Sequence, residues 1–400
     1  MVAGTGPRPE VVVVEAVRSA VGKRRGGLAH VLSSDLFSDV LAALIARAGV
    51  DSRHIGQVTG GCVSQVGPQS GNVTRTAWLA AGLSEATGGS TIHSQCGSSQ
   101  QAFTLAYGLV AGGVVGLAAA GGVEVMSRIP MTVSTMPELG PAKTPRYEQH
   151  YELTTQFEAA ERIAEAWNLT REDLEEFAVS SQARAAAAIS AGRFASQIVP
   201  VQAPTTSEDG QPGPERTIDT DEGPRPTTRE GLASLKVNLP DRPGGALHTA
   251  GTSSQLSDGA SALLLADARR AEELGLRARA RVVDSLLVGN DPVMMLTGPI
   301  PATQQVLERN GLSMDDLDVV EINEAFASVV LAWAHETKAD LGKVNVNGGA
   351  IALGHPLGAT GGVLLTKALH ELERVGGRYA LVTMCVGGGQ GTATLLERLP

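Results

Sequence analysis

Residues 91–124 read TIHSQCGSSQQAFTLAYGLVAGGVVGLAAAGGVE, and residues 343–391 read KVNVNGGAIALGHPLGATGGVLLTKALHELERVGGRYALVTMCVGGGQG. Each runs from a short apolar stretch through a turn of small residues into an Ala- and Leu-rich helical run, then into a second apolar stretch that stops at glycines. The likeness is one of element order and not of identity, and it predicts two copies of a single strand–turn–helix–strand unit. Copies related by a pseudo-twofold would bring the turns at Cys96, His355 and Cys385 to one crevice, at the carboxyl ends of strands where open sheets hold ligands.

Outward from these copies, residues 10–125 alternate short apolar runs with helical ones: VVVVEAV at 11–17, SSDLFSDVLAALIARAG at 33–49, VTGGCV at 58–63, GNVTRTAWLAAG at 71–82, STIHSQ at 90–95, SSQQAFTLAYGLVAGG at 98–113 and VGLAAAGGVEVMS at 115–127. Such alternation predicts right-handed crossovers and a largely buried sheet, hence an α/β fold. The pattern changes over 126–248. Residues 158–194 are strongly helical, with Thr170 capping the second helix and Asp173 in its first turn. Residues 207–231, SEDGQPGPERTIDTDEGPRPTTREG, are rich in Pro, Gly and charge and read as a long surface excursion. The expected organisation is an N-terminal half at 1–125, an inserted loop subdomain at 126–248, a return to the first half at 249–270 and a C-terminal half at 271–400.

Composition narrows the function. The 400 residues are 42% hydrophobic and 3% aromatic with 48 glycines, so the core is packed by Ala, Val, Leu and Ile in closely approaching layers. A net charge of -10 argues against a nucleic-acid surface or a basic membrane patch, and leaves small molecules as the expected partners. Three cysteines without CxxC spacing indicate neither a disulfide framework nor a zinc site. VVVV near the amino end is too short for a signal core or a membrane span and reads as a strand after a frayed tail, and LLERLP matches no common retention tail; a cytoplasmic location without membrane insertion is expected. VGGGQGTATLL does not satisfy GxGxxG, and GxxxxGK[ST], HExxH and GxSxG are absent from the sequence.

The turns carry the chemistry. Cys96 stands at the start of a helix, whose unpaired N–H groups and positive dipole end favour a thiolate, so an acidified, nucleophilic thiol is one reading and a buried small residue the other. His355, between glycines and followed by Pro356, is either a satisfied core imidazole or a general base approached closely by a ligand or another backbone. Cys385 ends an apolar strand ahead of three glycines whose N–H groups suit an oxyanion. Asn323, after the apolar DVVEI, reads as a helix N-cap or as an amide that fixes a water, and Glu324 as a cap partner or first-turn acid. Cys62 has no acidifying neighbour and reads as structural.

Taken together, QCGSSQQA (95–102), EINEAFAS (321–328), NGGAIALGHPLGATGG (347–362) and CVGGGQGTA (385–393) resemble the thiolase family, the acetyl-CoA acyltransferases, in order and approximate spacing. GCVSQVGPQSGNVTRTAWLAAGL and HTAGTSSQLSDGA are also similar to family segments. QFEAAERIA with EINEAFASVVLAWAHE is similar to bacterial 3-ketoacyl-CoA thiolases of the steroid side-chain type. The resemblance covers essentially the whole chain and implies a duplicated five-layered αβαβα fold. It implies that Cys96 is acylated, that His355 activates it, and that Cys385 exchanges a proton with the α carbon of acetyl-CoA. Asn323, through a water, would join His355 in holding the thioester oxygen, and the N–H groups of Cys96 and Gly387 would hold the tetrahedral oxyanion. Ser254 stands where the family contacts pantetheine and Arg225 near the adenine end of CoA, while Gln156 and Phe326 are expected against substrate. Gln156-Phe157 replaces a Met-Gly common in short-chain members at the acyl pocket, which favours a longer or bulkier acyl group; Ser99 replaces a glycine at the nucleophile turn.

The implied reaction is cleavage of a 3-ketoacyl-CoA by CoA, or the reverse condensation, with a biosynthetic acetoacetyl-CoA-forming enzyme as the alternative. A decarboxylating ketosynthase typically uses a second His and no acid/base thiol, and a non-catalytic acyl-CoA carrier would have lost a reactive residue; Cys385 and Asn323 argue against both. CoA is a co-substrate, no tightly bound cofactor or metal is implied, and a homodimer or dimer-of-dimers tetramer is expected by resemblance.

Overall fold

The structure is a computed structural model that describes residues 9–131, 133, 135, 139–206 and 211–400. The expected frayed tail at residues 1–8 and the start of the surface excursion, residues 207–210, lie outside the described residues. The first part contains β1 (Val11–Ser19), β2 (Gly22–Lys23), α1 (Ser33–Ala48), β3 (Gln57–Gly61), α2 (Val73–Ala80), β4 (Gly88–Ile92), α3 (Ser98–Ala111) and β5 (Leu117–Val125). The middle holds α4 (Pro145–Glu148), α5 (Gln156–Ala166), α6 (Arg171–Ser190), β6 (Ile198–Val199), β7 (Val201–Thr206), β8 (Pro212–Ile218) and α7 (Arg229–Ala233). Then come β9 (Ser257–Asp267), α8 (Ala268–Glu273), β10 (Ala280–Gly289), α9 (Pro299–Arg309), β11 (Val319–Ile322), α10 (Ala327–Thr337), α11 (Ala350–Leu353), α12 (Thr360–Val375), β12 (Tyr379–Val386) and β13 (Gln390–Arg398).

The strand order β4-β3-β5-β9-β1 is followed by β10-β13-β12-β11, so the two halves join through β1 and β10. Their internal patterns match. In the first half β3 runs parallel to β4 and β5, whereas β5–β9 and β9–β1 are antiparallel. In the second, β11 runs parallel to β12, whereas β12–β13 and β13–β10 are antiparallel, and a parallel bridge from Val320 to Val344 stands where β4 stands in the first. The join itself is a short antiparallel contact, Val12 with Arg281 and Val13 with Ala280.

Three apolar clusters define the layers. Alternate residues of β1, Val11, Val13 and Ala16 on one face and Val12, Val14 and Val17 on the other, enter two different clusters, as a strand covered on both sides requires. Phe103, Ala106 and Val110 of α3 and Leu364, Leu365, Ala368, Leu369 and Leu372 of α12 pack between the two sheet halves and touch both. Outside them, α1 and α2 cover the first half and α9 and α10 the second. The result is helix, sheet, helix, sheet, helix, the five layers expected.

The middle segment differs from its sequence reading where the surface excursion was expected. Pro212–Ile218, inside the predicted excursion, pairs antiparallel with Val201–Thr206, a strand that its Pro and Gly content conceals, and Val201, Ala203 and Ile218 are buried in the core of the first half. Beyond the hairpin, Asp221 is buried and grips Arg18 of β1 through two hydrogen bonds of 2.7 and 2.9 Å, with Asp221 also accepting the Val21 N–H. Arg18 further donates to Gln197 and lies 5.0 Å from the centre of the Phe194 ring. The capping box at Thr170 and Asp173 forms as expected and starts α6.

Both side chains of the Arg18–Asp221 pair are 0% exposed. Asp221→Ala should therefore strand a buried guanidinium and lower stability by about 3–5 kcal/mol, read as a fall in the denaturant midpoint; an unchanged midpoint would show that the pair is dispensable.

Candidate active site

The three turns predicted to converge do so. Cys96 occupies a tight turn between β4 and α3. The Ser98 hydroxyl accepts the Ser94 N–H and donates to the Gln95 carbonyl, and Gln95 sits at a φ of 45°. Gly97 caps α3, and a Cβ there would lie 2.6 Å from a methyl of Val386, the residue after Cys385. The turn at Cys96 is thus in direct contact with the end of β12, and only glycine admits that approach. Ser99, the expected departure at this turn, has a defined role: its hydroxyl accepts the Gly362 N–H at 3.0 Å in the first turn of α12.

The sulfur of Cys96 faces its own N–H and that of Gly387, both of which favour the thiolate. Burial nevertheless prevails and pushes the thiol up to about 11, so the expected acidification by a helix start is not realised in the resting site. A helix start was legible; the low dielectric around it was not. Cys385, fully buried, is raised by burial and, second, by the Cys96 sulfur, which places the two sulfurs within electrostatic reach of each other.

His355 is held by Thr360, whose hydroxyl lies 2.6 Å from Nδ1 and donates to the Pro356 carbonyl at 2.8 Å. With that hydroxyl proton committed, Nδ1 carries the hydrogen and donates to Thr360, which leaves Nε2 as the acceptor nitrogen of the ring. Burial pulls the ring down to about 4, so it is neutral near pH 7. Nε2 lies 3.4 Å from the side-chain nitrogen of Asn323, whose Oδ1 is buried without a protein partner among the described residues. Asn323 is no helix cap: its N–H continues the pairing of β11 with the Thr383 carbonyl, and α10 begins beyond Phe326. Glu324 is likewise neither cap partner nor first-turn acid, being a buried carboxylate bonded to Ser181, Asn345 and the Ile351 N–H.

A cavity of about 590 Å³ opens over this group, in the range of small-molecule sites. Cys96, His355, Gly387, Ser254, Arg225, Gln156 and Phe326 all line it, whereas Cys385 and Asn323, both 0% exposed, do not. Phe157 and His248 meet the Phe326 ring edge-on, each at 5.5 Å between centroids. Arg225 is exposed and is joined at the cavity by exposed Lys23 and Arg24, which sequence reasoning passed over because GKRRGG reads as an ordinary charged turn. Cys62 lies in the core of the first half, where burial and Glu124 raise its thiol.

A family model for the thiolase N-terminal domain matches residues 11–269 and one for the thiolase C-terminal domain matches 276–398. The chain belongs to the thiolase family and is an acetyl-CoA C-acyltransferase by class. It is 48% identical over 398 residues to steroid 3-ketoacyl-CoA thiolase FadA6 of Mycobacterium tuberculosis, covering 98% of this chain and 94% of that protein. It is 41% identical over 405 residues to a beta-ketoadipyl-CoA thiolase of Acinetobacter baylyi, covering 97% and 99%. The crystal structure of Bacillus anthracis acetyl-CoA acetyltransferase superposes with a TM-score of 0.88 at 36% identity, covering 99% of this chain and all of that one.

With a thiol raised to about 11 beside an imidazole lowered to about 4, the resting protein should show no thiolate absorbance between pH 6 and 8. A Cys96-dependent step in that window, absent from Cys96→Ser, would mean that the sulfur is already ionised.

Proposed function

We propose that the protein cleaves 3-ketoacyl-CoA with CoA by way of a Cys96 acyl-enzyme. The observation that carries the reading is that Cys96, His355 and Gly387 line one cavity, the Gly387 N–H facing the Cys96 sulfur, with the buried Cys385 thiol within electrostatic reach of that sulfur. His355 Nε2 takes the Cys96 proton as the sulfur attacks the 3-keto carbon. This assignment uses the neutral ring and the hydrogen on Nδ1, and needs no preformed thiolate. The oxyanion so formed is held by the N–H groups of Cys96 and Gly387, each worth a few kcal/mol of barrier in comparable sites.

The bond between carbons 2 and 3 then breaks. Its electron pair passes to the departing acetyl-CoA as an enolate whose oxygen is held by His355 and, through a water accepted by Asn323 Oδ1, by that amide. Cys385 supplies the proton to carbon 2. Its raised thiol suits this step, since a group that keeps its proton at neutral pH is available as an acid. CoA enters, its thiol returns the proton that Cys385 gave, and its sulfur displaces Cys96, which recovers the proton held on His355. Atoms and charge balance over the cycle, and the covalent intermediate makes the kinetics ping-pong.

The acyl group is proposed to be apolar and bulky. Met126, Met131, Phe157, Leu296, Phe326 and Leu357 supply apolar wall, and the Lys and Arg residues that line the cavity among the described residues, Lys23, Arg24 and Arg225, are all exposed, so none of them is a buried cation that would meet a terminal carboxylate. The cations are instead assigned to the phosphates of CoA, and Ser254 to pantetheine. A homodimer, or a tetramer built from it, is supported by the outer edge of β4, which has no strand partner among the described residues.

Cys96→Ser should abolish the acyl adduct seen by mass spectrometry on incubation with acetyl-CoA; an adduct retained elsewhere would remove Cys96 from its role. Cys385→Ala should keep acylation yet stop exchange of the α protons of acetyl-CoA in deuterium oxide. Thiolysis of a steroid-derived 3-ketoacyl-CoA should exceed that of 3-ketoadipyl-CoA, and the reverse order would overturn the assigned acyl class. Arg225→Ala should raise KM for CoA about two- to fivefold, as expected of an exposed ion pair; an equal rise with a pantetheine thiol lacking phosphates would refute the phosphate contact.

A further inference from the structure

His355 lies in a stretch, residues 349–358, that is irregular apart from the single turn of α11. The His355 N–H reaches the Gln255 carbonyl at 3.1 Å and the Ser257 hydroxyl at 3.2 Å. What fixes the two ends is a pair of buried carboxylates that do not line the cavity.

At the leading end, Glu324 is 1% exposed. Its Oε2 accepts the Ile351 N–H at 3.1 Å and the Ser181 hydroxyl at 2.7 Å, and its Oε1 accepts from Asn345 Nδ2 at 2.9 Å. The Ser181 oxygen also accepts the Gly349 N–H at 3.2 Å. A Cβ at Gly349 would lie 2.1 Å from the carboxyl carbon of Glu324, so the glycine that looked like room for a ligand is room for this carboxylate. At the trailing end, Glu124 is 0% exposed. Its Oε2 accepts the N–H groups of Gly358 at 3.0 Å and Val63 at 2.8 Å, and its Oε1 accepts from the Ser64 N–H at 3.1 Å and Gln69 Nε2 at 2.8 Å.

Every partner of these two carboxylates donates and none accepts. A carboxylate oxygen can take two such donors, whereas an amide nitrogen in its place would confront them with hydrogens of its own. Glu324 also follows Asn323 in the chain, and its partner Asn345 bonds both the N–H and the C=O of Ile322 at 2.9 Å. One carboxylate therefore ties the strand end that carries the amide to the segment that carries the imidazole.

We infer that Glu124, from the first half, and Glu324, from the second, are positioning residues that clamp the His355 segment at its two ends and so set the register of His355 against Asn323 and Cys96. The consequence for turnover rests on the reading of His355 given above; the clamp itself is independent of it. Displacement of a catalytic group by about 1 Å can cost 100-fold in rate, so a loosened clamp acts on kcat and leaves the CoA contacts alone.

The test uses Glu124→Gln and Glu324→Gln in the full-length enzyme, with thiolysis of acetoacetyl-CoA and the ring nitrogen resonances of 15N-histidine as readouts. Each folded variant should lose about 10- to 100-fold in kcat with KM for CoA within about twofold of wild type, and the His355 resonances should shift. The double variant should lose less than the product of the single losses, since both act through one segment. Should a glutamine variant fail to fold, Ser181→Ala removes one donor and the acceptor of Gly349 while keeping both carboxylates, and is expected to lower kcat by about 3- to 10-fold. Wild-type kcat and unmoved His355 resonances in a folded variant, or lowered thermal stability with kcat per folded molecule unchanged, would overturn the inference. If wild-type protein itself neither thiolyses acetoacetyl-CoA nor forms an adduct, the functional reading fails, and the resonances alone decide the clamp.

Discussion

The site depends on how closely two buried helices begin. α3 and α12 fill the layer between the sheet halves, and a Cβ at Gly361 in the first turn of α12 would lie 2.5 Å from the backbone nitrogen of Gln100 in the first turn of α3. The Ser99 hydroxyl then satisfies Gly362, an N–H that the start of α12 leaves open. Cys96 lies two residues before α3 and His355 five residues before α12, so interlocking the helix starts constrains the distance between nucleophile and base. Gln100 completes the arrangement. Its amide bonds the Val382 carbonyl and the hydroxyls of Thr392 and Thr394, which seats β12, the strand that carries Cys385, on the same helix.

Such packing carries an electrostatic consequence. Taking sulfurs and an imidazole out of water favours their neutral forms, and here that outweighs two N–H groups aimed at Cys96. The resting state is uncharged, and charge arises only as the proton moves. Groups already oriented toward the developing charge then act with little reorganisation around it.

How much of this was readable in the chain differs from residue to residue. Strand and helix alternation over 11–125 was plain, because β1, β3, β5 and the helices between them follow their apolar periods with glycines at the breaks. Pro212–Ile218 was not, since its pairing with Val201–Thr206 is fixed by a partner strand and runs against its own propensity. Cys96, His355 and Cys385 stood out as reactive types beside glycines. Asn323 was recognisable, but its environment was not: whether an asparagine before an apolar run caps a helix depends on where the helix starts, and that start is delayed to Ala327 by the pairing of Ser253 with Phe326. Glu124 was invisible as a partner of the His355 segment because it reaches Gly358 from the other half of the chain, and Glu324 because it meets Ile351 only through the fold; Thr360, five residues from His355, is a local partner whose hydroxyl carries no signal in the sequence pattern. The glycines around His355 signalled close approach correctly without saying by what, and the answer is a carboxylate and helix backbone.

The central layer also bears on how the chain is made. α3 is complete once residue 111 has left the ribosome, yet the face it turns toward the second sheet is covered by α12, which ends at Val375. Through most of synthesis that apolar face has no native cover, and the first half can settle only when nearly the whole chain has emerged. Although the two halves repeat one topology, they share one central apolar layer, so the order in which the chain emerges leaves the first half's share of that layer uncovered until the second arrives.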